Sequence, residues 1–347
     1  MQIQSGGLAP LSAVTIDAPA RLHLGFLDPN GSLGRAFGSV GLTIDERGTR
    51  VTMRLADAMR VEATRSDAER VRVERYVETL RAAWDGPAVS VDVQRAPRAH
   101  TGLGSGTQLA LAIGTAYARL AGRSPGSAEI ARMLGRGTRS GIGTLGFDHG
   151  GFLVDGGPAQ GHGPAGEAHT EAPPLLFRQP FPDAWRILLV DDTTREGLHG
   201  EAEKRGLASL APFPQALAAH VCHLVLLRIL PGIAESDFDA FADGITEMQQ
   251  TIGEYFAPVQ GGVFSSPTVA AALEAVATRQ TAGIGQTSWG PTGFAFVRSA
   301  EEASRALAIA QEATRGRPGV ACSIVTGRNR GATLRAVDLQ QCGIGAP

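Results

Sequence analysis

Alternating and helical patterns of apolar residues divide the chain into short strands and amphipathic helices. Apolar residues alternate with polar ones over residues 88–94, which predicts a strand. They recur at helical spacing over 68–84 and 237–256, which predicts amphipathic helices. Further strands are predicted at 13–18, 40–45, 50–55, 59–64, 152–155, 186–191, 294–298 and 320–326, and further helices at 109–120, 125–134, 214–230, 267–278 and 300–314. Because the two types mix without strict βαβ alternation, the pattern predicts an α+β fold with mixed or antiparallel sheets and packed helices.

Length and composition predict two globular domains. The chain has 347 residues, of which 43% are hydrophobic and 19% charged, and this length fits two domains of ordinary size. Between residues 156 and 182 the composition shifts to Gly, Pro, Ala and His, which predicts a surface excursion. We therefore predict an N-terminal domain over 1–170, containing a glycine-rich loop, and a C-terminal domain over 171–347.

Charge, cysteine usage and hydropathy favour a cytoplasmic protein. The net charge of −2 gives no reason to expect nucleic acid or an anionic membrane as a partner. Three widely spaced cysteines fit a reduced compartment better than a disulfide framework, and the polar, glycine-rich start does not resemble a leader. The longest apolar run, 216–233, contains histidines and Pro231-Gly232, so it predicts a buried helix rather than a membrane span.

The most informative loop joins the strand at 88–94 to the helix at 109–120. In this loop Gly102, Gly104 and Gly106 alternate, with the hydroxyls of Ser105 and Thr107 between and beside them. A glycine-rich turn that feeds a helix N-terminus exposes backbone N–H groups and adds the positive end of the helix dipole. The loop therefore favours binding of an anion such as phosphate. The alternative is a tight strand–helix turn that binds nothing.

Two more glycine-rich loops lie at 136–144 and 283–293, and neither has the lysine of a Walker loop. Among the basic residues close to the glycine-rich segments we single out Arg35, Arg139 and Lys204. We interpret Arg35 as functional because it lies inside a glycine-rich turn. The alternative for each of these residues is a solvated surface charge.

Three motifs occur in an order that resembles the GHMP kinase superfamily, the galacto-, homoserine, mevalonate and phosphomevalonate kinases. They are Pro19-Ala-Arg-Leu-His-Leu-Gly25, Gly102-Leu-Gly-Ser-Gly-Thr107 and Thr287-Ser-Trp-Gly-Pro-Thr292. The resemblance implies a two-domain GHMP-kinase-like fold. The chain departs from the kinase pattern where Gly106-Thr107 replaces a Ser-Ala pair, whose serine helps those kinases to hold the magnesium of a nucleotide.

A finer resemblance is to one branch of that superfamily, the β-ribofuranosylaminobenzene 5′-phosphate synthases of tetrahydromethanopterin biosynthesis. It is carried by the segments 21–35, 139–144 with 147–152, and 198–203. It implies a transferase that condenses para-aminobenzoate, or a close benzoate, with phosphoribosyl pyrophosphate and releases carbon dioxide and pyrophosphate. It also implies Mg²⁺ as cofactor, small-molecule partners only and a homodimer.

The resemblance and the loop chemistry together give a set of candidate substrate-binding residues. For His23, in an apolar alternation, the alternative is a buried, hydrogen-bonded histidine. The set comprises Arg21, His23, Gly102, Gly104, Ser105, Gly106, Thr107, Arg139, His149, Lys204, Ser288, Gly290 and Thr292.

Three residues are predicted to act at the reacting atoms. Departure of pyrophosphate leaves positive charge at the anomeric carbon, while an arginine can hold the benzoate carboxylate with two hydrogen bonds. We predict Asp28 and Arg35, seven residues apart across a Pro-Asn-Gly turn, for the benzoate end. Asp148 resembles in position the aspartate base of the kinases and is a candidate Mg²⁺ ligand. The alternatives are that Asp28 and Asp148 only cap turns.

Two other functions stay open at the level of sequence. One is an ATP-dependent small-molecule kinase that keeps the usual chemistry of the superfamily. The other is a binding protein with this fold and no turnover.

Overall fold

The computed structural model describes residues 11–160 and 172–338, in which strands and helices follow most of the predicted periodicity. The strands are β1 Leu11–Asp28, β2 Phe37–Leu55, β3 Arg60–Ala63, β4 Val89–Arg95, β5 Phe152–Asp155, β6 Leu175–Gln179, β7 Arg186–Asp192, β8 Gly283–Gln286, β9 Thr292–Val297, β10 Val320–Val325 and β11 Thr333–Asp338. The helices are α1 Asp67–Trp84, α2 Ser105–Leu120, α3 Ser127–Met133, α4 Ile142–His149, α5 Gly200–Ser209, α6 Gln215–Leu224, α7 Leu230–Glu235, α8 Phe238–Gln260, α9 Pro267–Arg279 and α10 Ala300–Ala313.

The strands form two sheets, which confirms the predicted α+β class. The first has seven strands, with the order β11-β1-β2-β4-β3, and β5 pairs with both β2 and β6. The second has four strands in the order β10-β7-β9-β8. All pairs are antiparallel except β3 with β4. The sheets are therefore mixed and antiparallel, as the element pattern predicts.

One hydrophobic core joins the two sheets and the helix α8. Leu22 and Leu24 of β1, Leu42 of β2, Phe241 of α8 and Phe296 of β9 are fully buried and belong to this cluster. Burial of each such side chain contributes about 1.5–3 kcal/mol. Because the cluster contains residues from both halves of the chain, it fixes the position of β1 relative to the loop that precedes β9.

The first sheet crosses the predicted domain boundary. That boundary, after residue 170, lies outside the described residues, and the division into 1–170 and 171–347 stays a prediction. The strand β6 pairs with β5, and the last described strand, β11, pairs with β1. Both β6 and β11 were missed from the sequence, β6 because it falls within the predicted surface excursion.

The strands β1 and β2 are longer than the sequence predicts. The separate strands predicted at 40–45 and 50–55 are one strand, because the polar residues between them form a bulge rather than a break. Glu46 has φ of 63°, and the register with β1 shifts between Ala18 and Ala20. A bulge of this kind bends a strand without ending it.

The glycine-rich segment 136–144 was predicted to be a loop that delivers Phe147-Asp148-His149 to a strand, but its second half begins the helix α4. The glycines are there for close packing. A Cβ on Gly143 would lie 3.0 Å from Thr107 Cγ2, and one on Gly146 would lie 2.6 Å from Thr43 Cγ2. Asp148 and His149 therefore lie on the last turn of a helix.

The long apolar run forms α6, a π-helical turn over Val225–Ile229, and α7. Within the described residues one helix, Gln215–Glu235, is long and apolar enough to cross a membrane, and 39% of its most apolar window is buried. Val221, Ile229 and Ile233 are buried in the core. Leu226 and Leu227, with 61% and 67% exposure, lie on the outer face. The predicted buried helix is therefore buried on one face only.

Candidate functional site

The N-terminus of α2 lies at the centre of the site. Its N-cap, Gly104, has φ of 76° and provides no side-chain cap. The backbone oxygen of Gly104 accepts from the N–H groups of Thr107 and Gln108. An uncapped helix start leaves N–H groups and the positive end of the helix dipole available to a ligand. The predicted strand–loop–helix arrangement is thus present, and Gly102 and Gly104 both have positive φ.

The three motifs singled out in the sequence meet at this point. The hydroxyl of Thr287 donates to Gly102 O at 2.8 Å and accepts from the backbone N–H of His23 at 2.9 Å. The N–H of Ser288 donates to His23 O at 3.1 Å. A Cβ on Gly102 would lie 2.2 Å from Thr287 O, and one on Gly290 would lie 2.1 Å from Thr101 O. Glycine is therefore required where the loops cross.

A basic cleft surrounds the glycine loop. One part, of about 340 Å³, is lined by Arg21, Arg72 and Arg136 and by the loop residues Gly102, Gly104, Ser105, Gly106 and Thr107. A second part, of about 280 Å³, shares Arg21 and Arg136 and adds Arg139 and Lys204. We call the two parts together the basic cleft. Since Glu203 is the one acidic residue in its lining among the described residues, the cleft attracts anions.

Two arginines are held rigidly in the basic cleft. Arg21 donates through Nη1 to Gly102 O, and burial lowers the pKa of its guanidinium to about 10. Arg136 donates through Nε to the hydroxyl of Tyr76 at 3.1 Å, and its Nη2 donates to the same oxygen. Arg21 is still charged at neutral pH, because a pKa of about 10 lies well above it. Both side chains are therefore positioned before a ligand arrives.

Arg139 and Lys204 also line the cleft, but each has an acidic partner. Arg139 forms an ion pair with Glu203 at 2.5 Å, and Lys204 forms one with Glu201 at 2.7 Å. The second pair is largely exposed, so it contributes little to stability. The candidate residues Ser105, Gly106, Ser288 and Gly290 line the cleft as well. The structure thus gathers most of the predicted substrate-binding residues in one place.

Several residues of the cleft were missed from the sequence. Arg72 comes from α1, and its charge is distant in sequence from every motif. Arg136 begins the second glycine-rich loop, so its position was a signal that the prediction did not use. His100 stacks on His199 with ring centroids 3.5 Å apart, and burial followed by the charge of His199 lowers the pKa of His100. Trp289 lines the cleft from the third motif.

Besides Asp28 and Arg35, three predicted residues lie outside the basic cleft. Thr292 is buried in β9 and donates to Asp191 Oδ1 at 2.6 Å, so its hydroxyl serves the second sheet. Asp148 accepts from Ser127 Oγ and lines a neighbouring cavity rather than the basic cleft. His149 is exposed, and its backbone oxygen accepts from Arg178. Asp148 and His149 lie outside the cleft because they belong to the last turn of α4, whereas the sequence placed them next to a loop.

Asp28 and Arg35 lie at the far end of the β1–β2 hairpin. Seven residues of extended strand separate Asp28 from Arg21, which is roughly 20 Å. The carboxylate of Asp28 accepts from the N–H groups of Asn30, Gly31 and Ser32 and from the Ser32 hydroxyl, at 2.6–3.1 Å. Asp28 therefore caps the turn, which is the alternative role given for it in the sequence analysis. Arg35 is exposed and donates through Nε to Gly156 O at 3.1 Å. Neither residue lines the basic cleft.

The role of Arg35 at the reacting atoms stays a prediction. If Arg35 binds substrate, Arg35→Ala is expected to lower turnover by orders of magnitude and to leave the melting temperature nearly unchanged, because its side chain makes one exposed hydrogen bond. Turnover with saturating substrates and a thermal melt check both parts. Near-normal turnover would remove Arg35 from the site.

His23 is buried beside the cleft and is neutral at physiological pH. Its side chain is 5% exposed, and its Nε2 is one of the buried atoms without a hydrogen-bond partner. Burial, and next the charge of Arg21, lower the pKa of His23 to about 3. The prediction of a substrate-binding histidine and the alternative of a hydrogen-bonded core histidine both need a partner for Nε2. The described residues provide none.

Titration of His23 predicts a pH dependence of stability. With a folded pKa of about 3, His23 takes up a proton on unfolding between pH 3 and 6.5. The neutral His23 therefore contributes its full share to the free energy of unfolding above pH 6.5, and this share is lost as the pH falls towards 3. From pH 7 to pH 5 the wild-type protein is expected to lose about 2 kcal/mol more unfolding free energy than His23→Leu. Urea unfolding of both proteins at the two pH values checks this, and equal losses would contradict it.

The described residues contain no group of three or more His, Cys, Asp or Glu side chains that could hold a metal ion. Among the described residues that line the basic cleft, Glu203 has the one carboxylate, and it forms an ion pair with Arg139. Mg²⁺ often binds through one or two carboxylates together with substrate phosphates. The cleft thus fits a Mg²⁺ ion that arrives with a phosphorylated substrate, and Glu203 would be its protein ligand.

Comparison with known proteins identifies relatives over nearly the whole chain. The N-terminal domain family of the GHMP kinases matches residues 72–151, and the C-terminal family matches residues 229–315. The beta-ribofuranosylphenol 5′-phosphate synthase of Methanothermobacter thermautotrophicus is 31% identical over 331 residues, which cover 92% of this chain and 98% of that protein. The protein of the same name from Archaeoglobus fulgidus is 33% identical over 67% of this chain and 74% of its own.

Solved structures with the same fold have distant sequences. Mevalonate diphosphate decarboxylase from Staphylococcus aureus has a TM-score of 0.63 at 13% identity, covering 94% of this chain and 98% of that one. Homoserine kinase from Cytophaga hutchinsonii has a TM-score of 0.58 at 15% identity, covering 96% and 100%. These likenesses confirm the predicted GHMP kinase fold. The sequence relatives go further: the chain belongs to the family of the beta-ribofuranosylphenol 5′-phosphate synthases, which are enzymes.

Proposed function

We propose that this enzyme condenses phosphoribosyl pyrophosphate with a benzoate that carries an amino or hydroxyl group para to its carboxylate. The name of the relatives describes a ribofuranosyl 5′-phosphate attached to a phenol. A 4-hydroxybenzoate acceptor would give that product, and para-aminobenzoate would give its amino counterpart for tetrahydromethanopterin synthesis. Either product arises when carbon dioxide and pyrophosphate leave.

The observation that carries the proposal is the basic cleft. Its glycine loop presents uncapped N–H groups, and Arg21, Arg72 and Arg136 surround it. Phosphoribosyl pyrophosphate carries phosphate groups at both ends, and such a cleft would bind them by charge-assisted hydrogen bonds. The cations would also stabilise the negative charge that develops on pyrophosphate as it leaves.

In the proposed reaction the ring carbon that bears the carboxylate attacks the anomeric carbon. A carbon–carbon bond forms there as the bond from the anomeric carbon to pyrophosphate breaks. The bond to the carboxylate then breaks, carbon dioxide leaves, and its electron pair restores the aromatic ring. An electron-donating para group favours this attack because it raises the electron density at the opposite ring carbon.

Mg²⁺, a homodimer and a cytoplasmic location belong to the same proposal. Glu203 would hold Mg²⁺ together with the phosphates of the substrate, and the ion would supply positive charge opposite the leaving group. No nucleic acid is expected as a partner, since the net charge is −2. The homodimer and the cytoplasmic location rest on the resemblance and on composition.

A kinase is the alternative, and the loop itself argues against it. Gly106 occupies the place of the serine that helps the related kinases to hold nucleotide magnesium. A thermal-shift comparison of phosphoribosyl pyrophosphate with ATP, each with Mg²⁺, separates the two functions. We expect stabilisation by phosphoribosyl pyrophosphate at concentrations where ATP has little effect. The reverse order would favour the kinase.

A further inference from the structure

One histidine, His100, lies beside the glycine loop and lines the basic cleft. It comes two residues before Gly102 and shares with Arg72 and Arg136 the part of the cleft that contains the loop. This part has a volume of about 340 Å³, so it has room for a phosphate group. The side chain of His100 is half-buried, and a ligand in the cleft can therefore reach it.

The backbone of His100 is held in a left-handed conformation. Its φ is 61°, which residues other than glycine adopt uncommonly. The carbonyl of His100 accepts from the N–H of Gly197 at 2.9 Å. Two residues upstream, Arg98 donates through Nη1 to Thr193 O at 2.6 Å and through Nη2 to Arg195 O at 2.7 Å. Strain of this kind persists only where surrounding contacts hold it, and it is frequent at ligand-binding sites.

The ring of His100 is fixed by a second histidine. It stacks on the ring of His199, with the centroids 3.5 Å apart and the planes at 18°. His199 is the N-cap residue of α5, and its Nδ1–H donates to Gly197 O at 2.9 Å. A Cβ on Gly197 would lie 2.8 Å from His100 O, so glycine allows the two segments to pass this closely. The ring is therefore positioned before a ligand arrives.

The ring nitrogens of His100 are available to a ligand. In the described part of the chain neither of them forms a hydrogen bond with another residue, and stacking occupies a face of the ring rather than its edge. A neutral imidazole has one N–H donor, whereas an imidazolium has two donors and a positive charge. His100 can thus donate to an anion in the cleft, and more strongly when it is protonated.

The surroundings of His100 keep its ring neutral in the free protein. Burial lowers the pKa of His100 most, and the charges of His199, Arg72 and Arg136 lower it as well, whereas Glu196 raises it. The other charged residues that line this part of the cleft, among those described, are Arg21 on β1 and Glu203 on α5. A phosphate group bound among these cations would bring negative charge next to the ring and favour its protonated form.

We propose that His100 is a ligand of a phosphate group on the glycine loop and takes up a proton from solvent when that group binds. The inference rests on the proposed function, in which phosphoribosyl pyrophosphate supplies the phosphate, and names a further binding residue of the same site. Since the ligand raises the pKa of the ring, the protonated ring must favour the ligand by the same factor. The ligand therefore binds more tightly as the pH falls from above the pKa of the bound ring towards that of the free ring.

His100→Asn tests this proposal, because asparagine tolerates the left-handed backbone and keeps an N–H donor but does not titrate. Binding of phosphoribosyl pyrophosphate with Mg²⁺ is measured by isothermal titration at pH 6.5 and pH 9. At pH 6.5 we expect His100→Asn to weaken binding about tenfold, the effect of losing one hydrogen bond from a charged donor. At pH 9, where the wild-type ring is neutral as well, we expect a loss of less than about threefold. Equal losses at the two pH values, or no loss at either, would overturn the proposal.

The proton itself is counted by repeating the titration at pH 7 in two buffers of different ionisation enthalpy. The wild-type enzyme is expected to take up about half a proton more per ligand than His100→Asn. Titration of the ligand's own phosphates is common to both proteins and cancels in this difference. The control is His223→Asn, which changes an exposed histidine of α6 outside the lining of the basic cleft and should keep the wild-type uptake. Equal uptake by the wild type and His100→Asn would show that His100 only supports the loop, and would overturn the proposal.

A second variant keeps the test decisive if His100→Asn does not fold. Glycine adopts the left-handed backbone without strain, so His100→Gly is expected to fold and to lose the same proton uptake. Inorganic pyrophosphate and ribose 5-phosphate, each with Mg²⁺, then distinguish the two ends of the substrate. The probe whose proton uptake falls in the variant contains the group that His100 binds, and a fall with neither probe would overturn the proposal.

The same titrations keep the two proposals apart. A wild-type enzyme that binds pyrophosphate but not phosphoribosyl pyrophosphate contradicts the proposed function, and the pyrophosphate titrations still test His100. Normal binding of phosphoribosyl pyrophosphate, with proton uptake that no variant of His100 changes, contradicts the role of His100 alone.

Discussion

Gly104→Val is expected to abolish binding of phosphoribosyl pyrophosphate. Gly104 has φ of 76° at the N-cap of α2, and a Cβ there would lie 3.1 Å from the side chain of Arg21. A β-branched side chain would fill the cradle, displace Arg21 and change the direction of the first N–H groups of the helix. The measurement is the shift in melting temperature that phosphoribosyl pyrophosphate with Mg²⁺ produces.

The matched control for this variant is Gly122→Val. Gly122 follows α2 at its other end, has φ of 67°, and has no atom within 4 Å of a Cβ. Both substitutions impose a strained backbone, which costs about 1–3 kcal/mol of stability. Gly122→Val is nevertheless expected to bind phosphoribosyl pyrophosphate like the wild type. Ligand-induced stabilisation of Gly104→Val equal to that of Gly122→Val would contradict the assignment of the glycine loop.

Arg136→Gln is expected to lower kcat/KM by about 100-fold, the usual effect of removing one donor that stabilises developing negative charge. Arg136 lines both parts of the basic cleft, and Tyr76 fixes its guanidinium. A glutamine keeps a hydrogen-bond donor but removes the charge. Steady-state kinetics with varied phosphoribosyl pyrophosphate measure the effect.

Arg132→Gln is the control for Arg136→Gln. Arg132 lies on α3 and lines the neighbouring cavity, not the basic cleft. Arg132 carries the same charge and lies close to Arg136 in the sequence. An effect that came only from the loss of one positive charge would therefore appear in both variants. We expect the kcat/KM of Arg132→Gln to stay within twofold of the wild type. Equal losses in the two variants would show that the cleft does not act through Arg136.

Local features of the fold and the site could be predicted from the sequence. The turn at Gly102–Thr107 enters the helix α2 as predicted, because glycine spacing and helix periodicity are properties of neighbouring residues. Arg21, Ser288 and Gly290 also meet the loop, as the shared order of the three motifs implies. Each of these residues either belongs to a recognisable motif or adopts a backbone conformation that its residue type predicts.

Other parts of the site depend on tertiary packing that periodicity does not contain. Arg72 reaches the cleft from the middle of α1, and nothing in its surroundings marks it. The glycines of α4 predicted a loop, whereas Gly143 and Gly146 allow the helix to pack closely against Thr107 and Thr43. The helix then carries Asp148 away from the cleft. A glycine can thus indicate a turn or a close contact, and only the fold separates the two.

The central claim is that the basic cleft brings phosphoribosyl pyrophosphate and a para-substituted benzoate together. The most direct test is incubation of the enzyme and Mg²⁺ with phosphoribosyl pyrophosphate and carboxyl-labelled 4-hydroxybenzoate or 4-aminobenzoate. With at least one of the two benzoates, labelled carbon dioxide and pyrophosphate are expected to appear in equal amounts, and neither should appear when one substrate is omitted. Absence of both products with both benzoates, or pyrophosphate release without carbon dioxide, would contradict the account.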